Sequence, residues 1–470
     1  MTTVADVVAR NAAQNPDGVA FVEAASGRSL TWRQYDECAR ALATTLAARY
    51  ERGDRVAIQI ADGPDVHVAM LACELAGVIA VGIGTRSGSR ETAHLVERTD
   101  ARDLLRELPS ATAAAPANSQ PFNADELSFL NSTSGTTGLP KVVMHNQARW
   151  FAFHEFAKRV AHFSPADVFA SALPAPFGFG LWTAHYTPTI VGAPCVLFER
   201  FTPEVVCEAI ARYRVTVLAA VSTQFVMMLN SRAFAECDLS SLRLLFTGGE
   251  MVPYERAREF EARTGAYVLQ FYGSNETGAL SCTTPDDSPE QRLQTAGRVI
   301  PEMQVRLLDV DNDGLGVPAA KGPTLCLGYW NDADANAQLF TEDGWMRMGD
   351  LATIDDDGFL TVTGRTSDFI IRGGKNISAA RVEDEVGAHP GVALCAAVAM
   401  PDEVFGERVC VFVELTPGTA LDLDGLREFL AERGTSKELW PERLVVLSEL
   451  PRSAGGKVAK GELRDSLRDD

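Results

Sequence analysis

The chain has 470 residues, 46% of them hydrophobic and 23% charged, and a formal net charge of −20. That length is too great for one compact core, so two or three domains are expected. The acidic balance excludes a broad basic face for nucleic acid or an anionic membrane, and any polyanionic ligand must be held by local groups.

The opening residues Met1-Thr-Thr-Val-Ala-Asp carry no basic region or apolar run, and no segment approaches the length of a membrane span, which points to a cytoplasmic protein. Thr31 can cap a helix in which Tyr35, Cys38, Ala39, Leu42 and Leu46 recur at helical spacing, and Gly53-Asp54 then turns the chain into a strand over 56–58. A second apolar helix over 66–76 leads into a buried strand over 78–81. Gly82-Ile-Gly84-Thr-Arg-Ser-Gly88 has the wrong glycine spacing for a dinucleotide fingerprint and reads as a loop. The Ala-, Pro- and Ser-rich stretch 108–120 is a linker to the next strand.

Next comes Asn131-Ser-Thr-Ser-Gly-Thr-Thr-Gly-Leu-Pro-Lys141. Its pieces could each be a surface turn. As an ordered run it reads as a polyphosphate grip, in which glycines let backbone N–H groups close on an anion, hydroxyls donate, and Lys141 adds a point charge. It is not a Walker loop, because Pro140-Lys141-Val142 stands where that motif needs Gly-Lys followed by Ser or Thr.

Thr202-Pro203-Glu204 starts a helix to Tyr213, followed by strands over 215–221 and 242–246, the pair Gly248-Gly249, a helix over 253–263 and a strand over 267–272. The alternation implies a mainly parallel sheet, and ligands collect beyond the carboxyl ends of such strands, where the turns after Phe246 and Tyr272 fall. From 301 the character changes to short strands over 305–308, 324–327 and 359–362, the last preceded by the turn Asp355-Asp-Asp-Gly358, and a small barrel-like antiparallel part is expected. Asp309-Val-Asp311-Asn-Asp313-Gly314 imitates a calcium loop, but Ala320 holds the twelfth position and Pro318 intrudes, so a hairpin turn is the better reading. After Gly364-Arg365-Thr366-Ser367-Asp368, helices over 380–388 and 424–433 and strands over 392–400 and 409–415 make a small α+β unit. Near its end lies a second glycine-lysine loop, Pro451-Arg-Ser-Ala-Gly-Gly-Lys457. Nine cysteines, with no C-x-x-C pair and an odd total, read as core fillers in a reducing compartment.

Five stretches stand in one order: the opening loop, Tyr272-Gly-Ser-Asn-Glu276-Thr, Trp345-Met-Arg-Met-Gly-Asp350, Gly364-Arg365 and Pro451 to Lys457. Together they resemble the adenylate-forming superfamily of acyl- and aryl-CoA synthetases, peptide-synthetase adenylation domains and beetle luciferases. The resemblance implies an α/β fold. A large N-terminal domain over 1–366, of mainly parallel sheets flanked by helices with the barrel-like part, would bind ATP and acid; a small mobile α+β domain over 367–470 would carry the catalytic lysine. It also implies ATP, Mg²⁺ and CoA, and a two-step reaction in which a carboxylate attacks the α-phosphate and a thiol then displaces AMP. Thr133, Ser134, Gly135, Thr136, Thr137, Gly138 and Lys141 would hold the departing pyrophosphate, Glu276 the metal, and Asp350 and Arg365 the ribose. Gly248, Gly249 and Glu250 on one face and Phe271 and Tyr272 on the other would flank adenine, and Gly273 would also belong to the ATP/AMP site. Lys457 would orient the two anions of the first step and offset their repulsion. Gly373 and Gly374, with Lys375 and Asn376, would line a thiol tunnel, and Ser367 and Asp368 would form the hinge. The chain departs from the family at Asn275, usually Thr or Ser, where an amide can still donate to phosphate. It departs again at Ser367, Ala379 and Arg381.

The stretch Ala175-Pro-Phe177-Gly-Phe179-Gly180-Leu-Trp182, with His185 and 224–228 including Phe225, resembles the acid pocket of benzoate-type CoA ligases; an ordinary core strand and turn is the alternative. No Asp stands where amino-acid-activating relatives hold an α-ammonium group. His154, His162 and His185 lack metal-ligand spacing. A small carboxylic acid is therefore the expected substrate, with CoA, a carrier-protein thiol or a nitrogen nucleophile as acceptor, and a homodimer is left open. A non-catalytic nucleotide-binding regulator is disfavoured by the joint presence of Lys141, Glu276, Asp350 and Lys457.

Overall fold

The structure, a computed structural model, describes residues 2–109, 120–133, 140–250, 252–365, 368–373, 375–452 and 457–467. Helix Trp32–Ala47 starts where Thr31 accepts from the Gln34 amide and Gln34 answers on the Thr31 N–H, the reciprocal cap the sequence allows. Its inner stripe is Trp32, Tyr35, Ala39, Leu42 and Leu46. Cys38 falls one step off that stripe and is exposed, and Cys237 and Cys395 are half-buried, so the expectation of uniformly core-filling cysteines holds for six of the nine.

Two large sheets share the N-terminal part. The six-stranded sheet runs in the order Gly328–Tyr329, Val142–Asn146, Leu127–Ser132, Ile79–Gly82, Arg55–Ile58, Ala101–Leu105. Its last four strands are parallel. The nine-stranded sheet is parallel from Tyr267–Ser274 through Leu244–Thr247, Val217–Ala219, Phe169–Ser171 and Cys195–Leu197 to Val19–Glu23, with antiparallel strands at both ends. Helix Pro64–Ala76 touches strands of both sheets and is buried on every side except at Asp65. That explains why its sequence is largely apolar and shows no amphipathic stripe, with His67 and Glu74 buried among the apolar residues.

The antiparallel part is a three-stranded sheet, Gln304–Leu308, Val317–Lys321 and Met346–Arg347, bridged between Gly316 and Ala352 to the hairpin Asp350–Ile354/Leu360–Arg365. The hairpin reading of 309–314 stands: the Asp311 carboxylate accepts from the Asp313 and Leu315 amides. The strand expected over 324–327 is absent. Its hydrogen-bonding groups serve a neighbouring turn instead, with the Cys326 N–H donating to the Glu276 carbonyl at 2.7 Å and the Thr324 hydroxyl to the Thr277 carbonyl at 2.8 Å. Pairing resumes only at Gly328–Tyr329. The C-terminal unit has a five-stranded sheet, Lys375–Ser378, Phe369–Arg372, Gly406–Leu415, Val392–Asp402 and Arg443–Val446, with helices Ala379–Gly387, Leu423–Glu432 and Lys460–Ser466 and cores of its own.

Candidate active site

Three strands end at one place. Leu127–Ser132 delivers the Ser/Thr/Gly loop, Leu244–Thr247 delivers Gly248-Gly249, and Tyr267–Ser274 delivers the turn with Asn275 and Glu276. The loop is closed at its base by the Thr133 N–H donating to the Lys141 carbonyl at 3.0 Å; Ser134, Gly135, Thr136, Thr137 and Gly138 lie outside the described residues. The Lys141 ammonium sits 4.9 Å from the Tyr329 ring centre. The Tyr329 hydroxyl in turn donates to Glu276 Oε1 at 2.7 Å, so one aromatic residue links the loop's cation to the carboxylate. Burial and then Glu276 raise the Tyr329 hydroxyl far above the ordinary tyrosine range, which keeps it a donor.

The turn that presents Asn275 and Glu276 is folded on itself by Ser274, whose hydroxyl accepts from the Glu276 and Thr277 amides at 3.2 and 3.1 Å. Gly273 begins it on the strand, paired with Ala279. Beneath the turn lies Arg149, 2% exposed. Its guanidinium donates to the carbonyls of Asn275 at 3.1 Å, Glu276 at 3.2 Å and Thr324 at 2.8 Å, and to His145 Nδ1 at 2.5 Å. Each buried donor left without an acceptor would cost about 1–3 kcal/mol, so this convergence of acceptors is a condition of burying the charge. Arginine only donates; His145 Nδ1 therefore accepts, and its Nε2 carries the proton donated to Asn131 Oδ1 at 2.7 Å. Burial, then Arg149, holds His145 well below the usual histidine range and thus neutral. Asn131 Oδ1 also accepts from Asn275 Nδ2 at 2.7 Å.

On the other side of the strand end, the Tyr272 hydroxyl donates to Asp350 Oδ2 at 2.8 Å, and Arg365 lies 3.6 Å from Asp350 Oδ1. Burial raises the Asp350 carboxyl, while Arg365, Tyr272 and Lys457 draw it back. Phe271 does not join Tyr272 as the second adenine face. Neighbours on a strand point to opposite sides, and the Phe271 ring is buried against Phe246 at 4.8 Å and Trp182 at 5.2 Å. Gly248 is required by close approach, since a Cβ there would lie 2.3 Å from the Phe271 carbonyl oxygen. Gly249, at φ +76°, turns its carbonyl to Lys457, whose Nζ donates to it at 2.6 Å across 208 positions of sequence. Glu250, held by the Thr223 amide and hydroxyl at 3.1 Å, adds negative potential near Lys457. Burial and Arg365 lower the Lys457 pKa against Glu250 and Asp350.

The aromatic stretch forms a single helical turn, Gly178–Gly180, continuing into a π-helix, Leu181–Tyr186, a rare conformation that is frequent at functional sites. Phe177, Phe179 and Gly180 stay on or beside this turn, which faces Asn275: a Cβ at Gly178 would lie 2.5 Å from Asn275 Oδ1. Phe179 stacks on Trp182 at 5.9 Å, and Trp182 on Phe153 at 4.2 Å. His185 and Phe225 do not join them. His185 is buried with Nδ1 3.1 Å from His67 Nδ1 and is held neutral, at about 3, by burial; Phe225 packs on Phe260 at 5.8 Å in the second core. The helical period turns one away, and the second helix, Ser222–Asn230, buries the other.

In the C-terminal unit, Gly373 turns with φ +58° and donates to the Phe405 carbonyl at 2.8 Å. Asp368 lies 3.6 Å from Arg464 on the helix that follows Lys457. Ser367 and Gly374 lie outside the described residues. His145, Arg149, Thr223 and Tyr329 carry no motif in the sequence, and Asn131 enters it only as the first residue of the Ser/Thr/Gly loop. A signal existed for Arg149: it shares the buried stripe of helix Gln147–Ala161 with Phe153 and Phe156, and a basic residue on an apolar stripe asks for buried acceptors.

The model of the AMP-binding enzyme family matches residues 8–330, and that of the AMP-binding enzyme C-terminal domain matches 381–457. A medium-chain fatty-acid–CoA ligase of Escherichia coli K12 is 30% identical over 99% of this chain and 90% of its own length. A 2-hydroxy-7-methoxy-5-methyl-1-naphthoate–CoA ligase of Streptomyces carzinostaticus is 34% identical over 82% of this chain and 70% of its own. The solved structure of an amide bond synthetase from Marinactinospora thermotolerans superposes with a TM-score of 0.84 at 26% identity, covering 99% of this chain and 100% of that one.

Proposed function

This chain belongs to the AMP-binding enzyme family, and on that premise we propose that it joins a small, aromatic carboxylic acid to CoA through an acyl-adenylate. The observation that carries the reading is the Lys457 ammonium donating to the Gly249 carbonyl within the field of Glu250 and Asp350, which brings a lysine of the C-terminal unit to the end of strand Leu244–Thr247. In the first step an acid oxygen bonds to the α-phosphorus of ATP, the bond to the bridging oxygen breaks, and pyrophosphate leaves. Both reactants are anions, and the Lys457 ammonium offsets their repulsion. Asp350, held by Tyr272 and Arg365, accepts the ribose hydroxyls. In the second step the sulfur of CoA bonds to the acyl carbon, AMP departs with its electron pair, and the thiol proton is lost.

The carboxylate of Glu276 suits Mg²⁺. Its Oε1 is fixed by Tyr329, and a hard ion of this kind takes one or two carboxylates with phosphate oxygens. Bound there, Mg²⁺ would neutralise charge on the leaving pyrophosphate. The domain boundary belongs to the same proposal: residues 1–366 bind ATP and acid, and 367–470 swing about Asp368 between the two steps. Phe177 and Phe179, both half-buried, supply flat faces for a ring, with Trp182 packed behind Phe179. Likeness to an amide bond synthetase favours a second reading, in which a nitrogen nucleophile or a carrier-protein thiol takes the acyl group.

Pyrophosphate release over a panel of carboxylates, with and without CoA, tests the reading. Thioester and AMP formed together only with CoA are expected. AMP released only after an amine or carrier protein is added would replace the first reading with the second, and no pyrophosphate with any acid would end both.

A further inference from the structure

Arg149 is a buried cation whose guanidinium hydrogen-bonds a neutral ring and backbone carbonyls. Of its four acceptors, two are the carbonyls of Asn275 and Glu276 and a third is that of Thr324, whose hydroxyl bonds the Thr277 carbonyl in the same turn. The fourth, His145, continues through Asn131 to the side-chain amide of Asn275. Asn131 Nδ2 also donates to the Pro176 carbonyl at 3.1 Å, next to Phe177. One guanidinium thus ties the turn of Glu276, the base of the Ser/Thr/Gly loop and the start of the aromatic turn into one hydrogen-bonded body.

Geometry decides what this can do. Arginine has five donors in a rigid fork, whereas lysine has three on a flexible stem and cannot span two adjacent carbonyls, a third at Thr324 and a ring nitrogen together. The fork fixes the main chain on both sides of the Cα of Glu276 while Tyr329 fixes one carboxylate oxygen, leaving the other to point in one direction. Groups that orient a metal-binding carboxylate act on metal affinity without touching the metal.

We propose that Arg149 is a positioning residue for the adenylation half-reaction, setting the orientation of Glu276 for Mg²⁺ and, through His145 and Asn131, that of the Asn275 amide. The inference rests on the reading of Glu276 as the metal carboxylate.

The test uses the full chain and calorimetric binding of ATP at stepped Mg²⁺ concentrations, with adenosine binding as the control for an intact nucleoside end. Arg149→Lys is expected to raise the Mg²⁺ concentration for half-maximal ATP binding about tenfold, within the range seen when partners of metal ligands are removed, while adenosine binding stays within twofold. Arg149→Gln should shift it further. In a Glu276→Gln background, R149K should add little, because both changes act through one carboxylate. An unshifted Mg²⁺ dependence in R149K, equal loss of adenosine binding, or full additivity in the double variant would overturn the inference and leave the adenylation reading intact. ATP binding by the unaltered protein that ignores Mg²⁺ would overturn the metal assignment and this inference with it.

Discussion

The two halves of the candidate site are built from different materials. At the nucleotide end, named polar atoms meet at fixed distances: Tyr272 on Asp350, Tyr329 on Glu276, Lys457 on Gly249, Arg149 on two successive carbonyls. At the acid end, Phe153, Phe179, Phe246, Phe271 and Trp182 pack by ring contacts of 4.2–5.9 Å. A directional network tolerates few residue types at each position, while an apolar cluster tolerates many of similar volume. On the function proposed above, chemistry common to many acids belongs to the first end and the choice of acid to the second.

Removing Lys457 should break this comparison most severely. Lys457→Ala is expected to slow adenylate formation on the order of a hundredfold or more, with thioester formation from supplied acyl-adenylate little changed; single-turnover assays of the two half-reactions separate them. Because burial lowers the Lys457 pKa, its charge is lost at lower pH than that of an ordinary lysine. The alkaline limb of the adenylation profile should lie correspondingly low, and a limb in the ordinary lysine range would contradict the assignment.

At the acid end a change of shape should alter choice and spare nucleotide binding. Phe179→Ala is expected to shift the ratio of kcat/KM between a bulky and a small aromatic acid about tenfold toward the bulky one, the scale of an apolar pocket's discrimination. The KM for ATP should stay within twofold, and a large change in it would mean that the two ends are not separable.

The smallest effect concerns the core behind the aromatic turn. The Glu74 carboxyl accepts from the Tyr186 hydroxyl at 3.2 Å, and burial raises it from 4.5 to about 8. The folded state thus keeps a proton that the unfolded state releases. The stability this contributes is fully present below pH 4.5 and is lost as pH rises to about 8. Glu74→Gln should flatten that slope, raising the thermal midpoint by a few degrees more at pH 8 than at pH 6 in scanning calorimetry. An unchanged slope would mean that Glu74 is ionised in the fold.

Much of the fold was legible where one segment carried its own instruction. Thr31 with Gln34, Thr202 with Pro203, and the Asp355 to Gly358 turn each hold the local chemistry that starts or reverses an element. Helix Gln147–Ala161 was not read, because its buried face mixes Arg149 and His154 with aromatic residues and so hides the apolar period. The segment 324–327 looked like a strand by composition, yet its backbone groups were claimed by a turn some fifty positions earlier.

The same division runs through the site. Residue type marked the Ser/Thr/Gly loop as a candidate phosphate grip, and the resemblance carried by short ordered stretches marked Glu276, Asp350 and Lys457 as candidates, since anion and metal chemistry demands particular side chains and close backbone turns in short stretches. Only the tertiary structure decided that Phe271 and Tyr272 part company, that His185 turns to His67 and Phe225 to Phe260, and that Arg149 supports the turn of Glu276 from beneath. Those outcomes depend on which face of a strand or helix meets which neighbour, and a buried charge can be located only once its distant acceptors are known.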